Sequence, residues 1–151
     1  CWDFPDWKLK IVGDGPARMN LEDYIRSAGL EKSVELLGKK YPVWPCYQQA
    51  RIFVLPSRYE GFPLALIEAM AMGCTCISTN CSGPQAIITH DVDGLLVKPE
   101  KPEEIANSLE QLLRDGLLCI KLSEKGIRAR EKYSIKSYVK NWENILQLVF
   151  N

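Results

Sequence analysis

Between residues 51 and 72 the chain passes from an unbroken apolar run, through a loop, into a helix with almost no polar side. The run Arg51-Ile52-Phe53-Val54-Leu55-Pro56 does not alternate and is bounded by breakers, as a parallel strand covered on both faces would be. From Leu64 to Met72 every side chain except Glu68 is apolar, so the predicted helix, residues 63–72, is buried on all sides. Open parallel sheets take ligands beyond the carboxyl ends of their strands, which puts Ser57 to Leu64 where a ligand belongs.

Two carboxylates frame that stretch, Glu60 and Glu68, eight residues apart. An unpaired charge in an oily helix is costly, so Glu68 needs donors from the protein or from a hydroxyl-rich ligand. Pro63 suits the first helical position, with Glu60-Gly61-Phe62 as the entering turn. The amides of Leu64 and Ala65, with those of Gly61 and Phe62, then form a partly positive pocket for a phosphate or diphosphate. Taken alone, Glu68 is equally well explained by an internal arginine or backbone amides. Glu60 has a plain reading too, as a loop carboxylate favoured by a helix N-terminus.

Strand-like runs recur at 7–12, 33–37, 51–55, 74–78 and 94–97, with helical stretches near 17–28, 42–50, 63–72 and 84–88. Such alternation implies a parallel α/β sheet. Past Pro102 the pattern turns helical: Ile105, Leu109, Leu112 and Leu113 form one stripe that Asp115-Gly116 ends, and a shorter helix spans 117–133. The last helix begins at the N-cap Ser134. Its residues Ile135, Tyr138, Val139, Trp142, Ile145, Leu146 and Val149 fall at helical spacing, which predicts an amphipathic, packed element.

Composition narrows the partners. At 151 residues and 46% hydrophobic content the chain is one ordinary globular domain with a sizeable core. Nineteen basic and 19 acidic residues cancel, which gives no support for nucleic-acid binding or long-range attraction to an anionic membrane. No apolar run reaches transmembrane length. The six cysteines, Cys1, Cys46, Cys74, Cys76, Cys81 and Cys119, make no small-domain disulfide framework and no signal peptide precedes them, so a reducing compartment is expected. Cys74 and Cys76 read as small buried hydrophobes on a strand. A metal site joining them to Cys81 and His90 would lack a paired C-x2-C motif. His90 reads as part of a surface turn. The opening Cys1-Trp2-Asp3-Phe4-Pro5-Asp6-Trp7, without an initiator Met, reads as the tail of an earlier element, so a cut fragment is expected.

Gly13-Asp14-Gly15 after a strand, with Glu35 downstream, invites a dinucleotide-binding reading; Arg18 opposes it by filling a position that must be small for close helix packing. A different resemblance covers most of the chain. Lys10-Ile11-Val12-Gly13-Asp14-Gly15-Pro16, Val34-Glu35-Leu36-Leu37-Gly38, the stretch from Val54 through the Glu60/Glu68 pair to Gly73, Ser82-Gly83-Pro84 and Asp93-Gly94-Leu95-Leu96-Val97 occur in the order seen in one family. The chain resembles the C-terminal domain of retaining glycosyltransferases of GT-B family 4. The resemblance implies a Rossmann-like parallel sheet flanked by helices, the C-terminal half of a GT-B fold with extra C-terminal helices. On this reading residues 1–151 are a single donor-binding domain lacking its first strand and helix, and the N-terminal acceptor domain is absent.

In that family the residue matching Glu68 holds the ribose hydroxyls and the one matching Glu60 lies by the donor sugar, which it positions; no nucleophile is assigned. The backbone of Gly61, Phe62, Pro63, Leu64 and Ala65 contacts sugar and diphosphate. Gly13, Asp14 and Gly15 line the ligand edge of the sheet, and Gly38 and Lys39 open the loop beside the base. Lys39 and Lys40 are as readily a solvated pair. The missing strand and helix carry, in relatives, the Arg and Lys that grip the diphosphate, so the fragment alone is expected to bind donor weakly and to be inactive. Ala86 stands where many relatives have a Glu.

The implied reaction moves a hexosyl unit from a nucleoside diphosphate sugar, a UDP or GDP sugar, to an acceptor hydroxyl with retention of configuration. No metal or other cofactor is required by the motif. Helix-terminus amides and basic side chains would stabilise the leaving diphosphate. The two carboxylates are not a glycosidase pair, since those must flank one bond from opposite sides. Implied partners are the donor and the missing N-terminal domain of the same chain; the implied location is cytoplasmic, with room for peripheral membrane contact through the missing part. Two other readings stand beside this one: a nonenzymatic sugar-nucleotide-binding module and a nucleotide-sugar 2-epimerase.

Overall fold

The computed structural model describes residues 4–150, with side chains through Leu148. Cys1, Trp2 and Asp3, and the side chain of Val149, lie outside the described residues. The chain divides into two compact units, Cys1–Val43 and Trp44–Asn151.

The first unit is a β-α-β arrangement of β1 (Leu9–Val12), α1 (Arg18–Ser27) and β2 (Val34–Gly38). The two strands pair in parallel, Leu9 opposite Val34 and Val12 opposite Gly38, with a shift in register between Ile11 and Val12. Helix α1 ends because Gly29 takes a left-handed φ of 64°, which turns the Leu30 amide back to the Ile25 carbonyl at 2.9 Å.

The second unit runs α2 (Trp44–Gln49), β3 (Ile52–Leu55), α3 (Leu64–Ala71), β4 (Thr75–Thr79), α4 (Ser82–Ile87), β5 (Leu95–Val97), α5 (Pro102–Arg114), α6 (Gly116–Gly126), α7 (Ala129–Lys132) and α8 (Ile135–Phe150). Its sheet has the order β3-β4-β5, all parallel. The central strand β4 is buried throughout. Strand residues alternate between faces. On one face Thr75 donates to the Cys119 carbonyl at 2.7 Å, and Ile77 joins Leu95, Val97, Leu112, Cys119 and Leu122 in the core. On the other, the Cys74 thiol just before the strand donates to the Tyr47 carbonyl of α2 at 3.3 Å. These cysteines behave as buried small hydrophobes, and burial pushes the Cys74 thiol up to about 11 and raises Cys76 well above its ordinary value.

Three helices differ from the sequence expectation. Helix α3 is not buried on every side: Leu66, Ile67, Ala69 and Met70 are buried, but Leu64 in its first turn is 63% exposed. The stretch 117–133 is two helices, because bonds at 127–130 tighten to three-residue spacing, Arg128 to Lys125 at 3.3 Å and Arg130 to Ile127 at 3.0 Å. Asp115 both ends α5 and caps α6, accepting from the Leu118 amide at 2.9 Å. Ser134 caps α8, accepting from the Ser137 amide at 3.1 Å. The apolar stripe of α8 is open rather than packed, Ile135, Tyr138, Val139, Trp142, Ile145, Leu146 and Leu148 all being exposed. The far end of α3 is closed by α7, where the Arg130 guanidinium donates to the Ala71 carbonyl at 2.7 and 3.2 Å. Among the described residues no helix is long and apolar enough to cross a membrane.

Candidate functional site

The loop after β3 is held by hydroxyl and amide donors from β4 and α4. Thr79 donates its hydroxyl to the Ser57 carbonyl at 2.5 Å. Ser82 and the Gly83 amide both donate to the Glu60 carbonyl, at 3.2 and 3.0 Å. Gly83 is where the two segments touch: a Cβ there would lie 2.6 Å from the Gly61 carbonyl oxygen, 2.7 Å from that of Glu60 and 2.8 Å from the Pro63 ring. Only a glycine permits that approach. The Glu60 side chain is half-buried, and its Oε1 accepts from the Ser57 hydroxyl at 3.3 Å.

Helix α3 starts one residue later than expected, with Pro63 as the N-cap in an extended conformation (φ −77°, ψ 94°). Its carbonyl takes the Leu66 and Ile67 amides at 3.1 and 3.3 Å. Among the described residues the amides of Gly61, Phe62, Leu64 and Ala65 have no protein acceptor, and Gly61, Phe62 and Leu64 are exposed. These are the orphan donors of a helix start, at the positive end of its dipole. Glu68 lies one turn further in. Helical side chains lean toward the N-terminus, the direction in which the open amides lie from Glu68.

Glu68 is half-buried. Its Oε2 accepts from the Tyr47 hydroxyl at 3.3 Å, and no ion pair reaches it among the described residues. The internal arginine that would have made it a purely structural group is not there. Burial first, then the Glu68 charge, pushes the Tyr47 hydroxyl up from 10.0 to about 12. The neutral phenol is thus favoured by the fold, and its contribution to stability is complete below pH ~10 and lost as pH rises from ~10 to ~12. One of the six tyrosines should ionise near pH 12 in a phenolate absorbance titration, and Tyr47→Phe should remove that phase; six tyrosines ionising together near the ordinary value would contradict the burial.

The remaining candidates belong to the first unit and meet at the carboxyl ends of its strands. The Gly13 amide donates to the Gly38 carbonyl at 2.9 Å. Gly13 and Gly38 adopt φ of 131° and 65°, conformations that favour glycine. The Gly15 amide donates to its neighbour Asp14 at 2.9 Å, and Lys39 is exposed just past β2. Arg18 pairs with Glu22 at 2.8 Å on the surface of α1.

His90 plays a structural part: its Nδ1 accepts from the Leu96 amide at 3.0 Å, and its Nε2 faces Asp91 at 3.3 Å. No group of three or more His, Cys, Asp or Glu is set to hold a metal among the described residues. An open depression of about 430 Å³ lies beside the loop, lined by Arg58, Thr79, Glu100 and Lys101 among others, but neither Glu60 nor Glu68 faces it.

A family model described as glycosyl transferases group 1 matches residues 2–129. The chain belongs to this family. Over 144 residues it is 35% identical to an uncharacterised glycosyltransferase of Haemophilus influenzae, covering 95% of this chain and 41% of that protein. It thus spans about two fifths of that relative's length. The crystal structure of the C-terminal domain of a group 1 family glycosyltransferase, LpcC of Francisella tularensis, superposes with a TM-score of 0.81 at 31% identity, covering 89% of this chain and 73% of that one. A Staphylococcus aureus TarM mutant in complex with fondaparinux, α-GlcNAc-glycerol and UDP gives 0.83 at 27% identity, over 91% of this chain and 28% of that one. This group 1 domain therefore has the Rossmann-like fold of the C-terminal domain of GT-B glycosyltransferases, parallel strands flanked by helices.

Sequence reasoning did not single out Tyr47, Ser57 or Gly83. Tyr47 lies in a stretch with no motif of its own, and its bond to Glu68 crosses 21 residues. Gly83 was legible only as part of Ser82-Gly83-Pro84; nothing in that triplet shows what its missing Cβ leaves room for.

Proposed function

We propose that this domain holds the nucleoside diphosphate sugar, a UDP or GDP sugar, for a retaining transferase that moves a hexosyl group onto an acceptor hydroxyl. One observation carries the reading: among the described residues Glu68 keeps an oxygen without a protein partner, one turn into the helix whose start and preceding loop carry four main-chain amides that also have none. A carboxylate of this kind accepts from the two ribose hydroxyls, while the amides take the diphosphate. The UDP in the S. aureus relative's structure supports the ligand class. As the diphosphate leaves, negative charge grows on its oxygens, and fixed amides stabilise that charge without reorganising. Glu60, tethered by Ser57, positions the sugar. Gly13, Asp14, Gly15, Gly38 and Lys39 are the first unit's own candidates for nucleotide contact. The chain by itself binds donor weakly and transfers nothing, and the protein works in the cytoplasm.

The test is calorimetry of UDP, GDP and ADP sugars on the full-length protein, wild type and Glu68→Gln. The variant should bind the preferred donor about tenfold more weakly, the lower end for a charge-assisted hydrogen bond. Unchanged affinity and turnover would remove Glu68 from the site. Proton NMR of the product should show the donor's anomeric configuration. Formation of an epimerised sugar nucleotide without acceptor would favour the 2-epimerase instead.

A further inference from the structure

We propose that Tyr47 is a positioning residue for the donor: its hydroxyl holds one oxygen of the Glu68 carboxylate so that the other is presented to the ribose. The inference rests on the assignment of Glu68 to the ribose and goes one step behind it.

The phenol is itself fixed. Tyr47 is 6% exposed, its ring meets Phe53 of β3 edge-on at 5.7 Å and 80°, and its carbonyl accepts from the Cys74 thiol at 3.3 Å. Helix α2 is thereby tied to β3 and to the residue that leads into β4, and among the described residues the hydroxyl has one partner, Glu68 Oε2 at 3.3 Å. A glutamate has three rotatable bonds, and without a partner its head would sample several orientations over the first turn of α3. A buried donor on one oxygen removes that freedom in advance, the same gain as any preorganised binding group. A phenol suits the task because it donates while staying neutral; a lysine or arginine there would neutralise the carboxylate and compete with the ribose for it.

The experiment uses the full-length protein and whichever of UDP, GDP and ADP the wild type binds best, in ribo and 2′,3′-dideoxy forms. Tyr47→Phe keeps the ring and its packing and removes only the donor. It should weaken the ribo nucleotide about three- to tenfold and leave the dideoxy nucleotide unchanged, so that the preference for ribose falls. KM for the sugar donor should rise by the same factor with kcat unchanged, as for loss of binding shared by ground and transition states. In a Glu68→Gln background the Tyr47 substitution should have no further effect on that preference.

Equal weakening of both nucleotides, or an unchanged preference, would show that the phenol only packs. An effect that persists at full size in Glu68→Gln would overturn the proposal as well. Site-specific 3-fluorotyrosine at position 47, a stronger donor of nearly the same shape, reads the hydroxyl without removing it and should raise the ribose preference; a fall would count against the role. If Glu68→Gln leaves nucleotide affinity intact, or none of the three nucleotides binds, the ribose assignment fails first and this proposal with it. If Glu68→Gln weakens binding and Tyr47→Phe does not, this proposal fails alone.

Discussion

Gly83→Ala should cut donor turnover by at least about 100-fold, the penalty for moving reacting or binding groups by about 1 Å. The added methyl would sit 2.6 Å from the Gly61 carbonyl oxygen and 2.7 Å from that of Glu60, closer than real Cβ atoms come, and both neighbours are backbone rather than yielding side chains. Loop and α4 must therefore separate. That breaks the Gly83-to-Glu60 bond and shifts Glu60 together with the open amides beside it. Overpacking should also lower stability by about 1–3 kcal/mol, so thermal melting and single-turnover rates should be measured together. Gly94→Ala is the comparison, since its Cβ would press on the Cys76 carbonyl at 2.9 Å, at the buried start of β5. It should lower the melting temperature while the folded fraction turns over normally. Normal turnover in Gly83→Ala would mean that this loop does not carry the chemistry.

Leu122→Ala should lower unfolding free energy by about 3–4 kcal/mol, a large part of the ~5–15 kcal/mol that holds an ordinary domain. Leu122 is fully buried on α6 and belongs to the cluster with Ile77, Leu95, Val97, Leu112 and Cys119. The cluster backs β4, so little can collapse into the space left behind. Urea denaturation should show a lower midpoint with unchanged slope. A loss below about 1.5 kcal/mol would mean the site closes over the cavity. Ligand affinity of the folded protein should not change, because Leu122 lies on the sheet's other side from the Tyr47 contact with the Cys74 segment.

Periodicity and breakers located every strand and most helices, since those signals are local. All five strand-like runs became strands, and the parallel pairing inferred from apolar runs is what β3, β4 and β5 show. What failed was tertiary in origin. The split at 127–130 and the open first turn of α3 depend on neighbours that no window of sequence contains. For α8, spacing foretold the stripe, but the packing inferred from it is not there: the stripe is exposed. Within the candidate site, Glu68 stood out because a single charge interrupts an apolar helix, and Glu60 through its place in the family motif. Tyr47 and Gly83 act through contacts across 21 and 23 residues, in segments whose composition is unremarkable for a helix and a turn.

Arg130 gives α3 a history as well as a shape. The turn with the open amides is synthesised first, yet the guanidinium that secures the opposite end, on the Ala71 carbonyl, lies 59 residues downstream. A nascent polypeptide leaving the ribosome therefore has its open-amide turn in hand well before the clamp that steadies the helix has been translated.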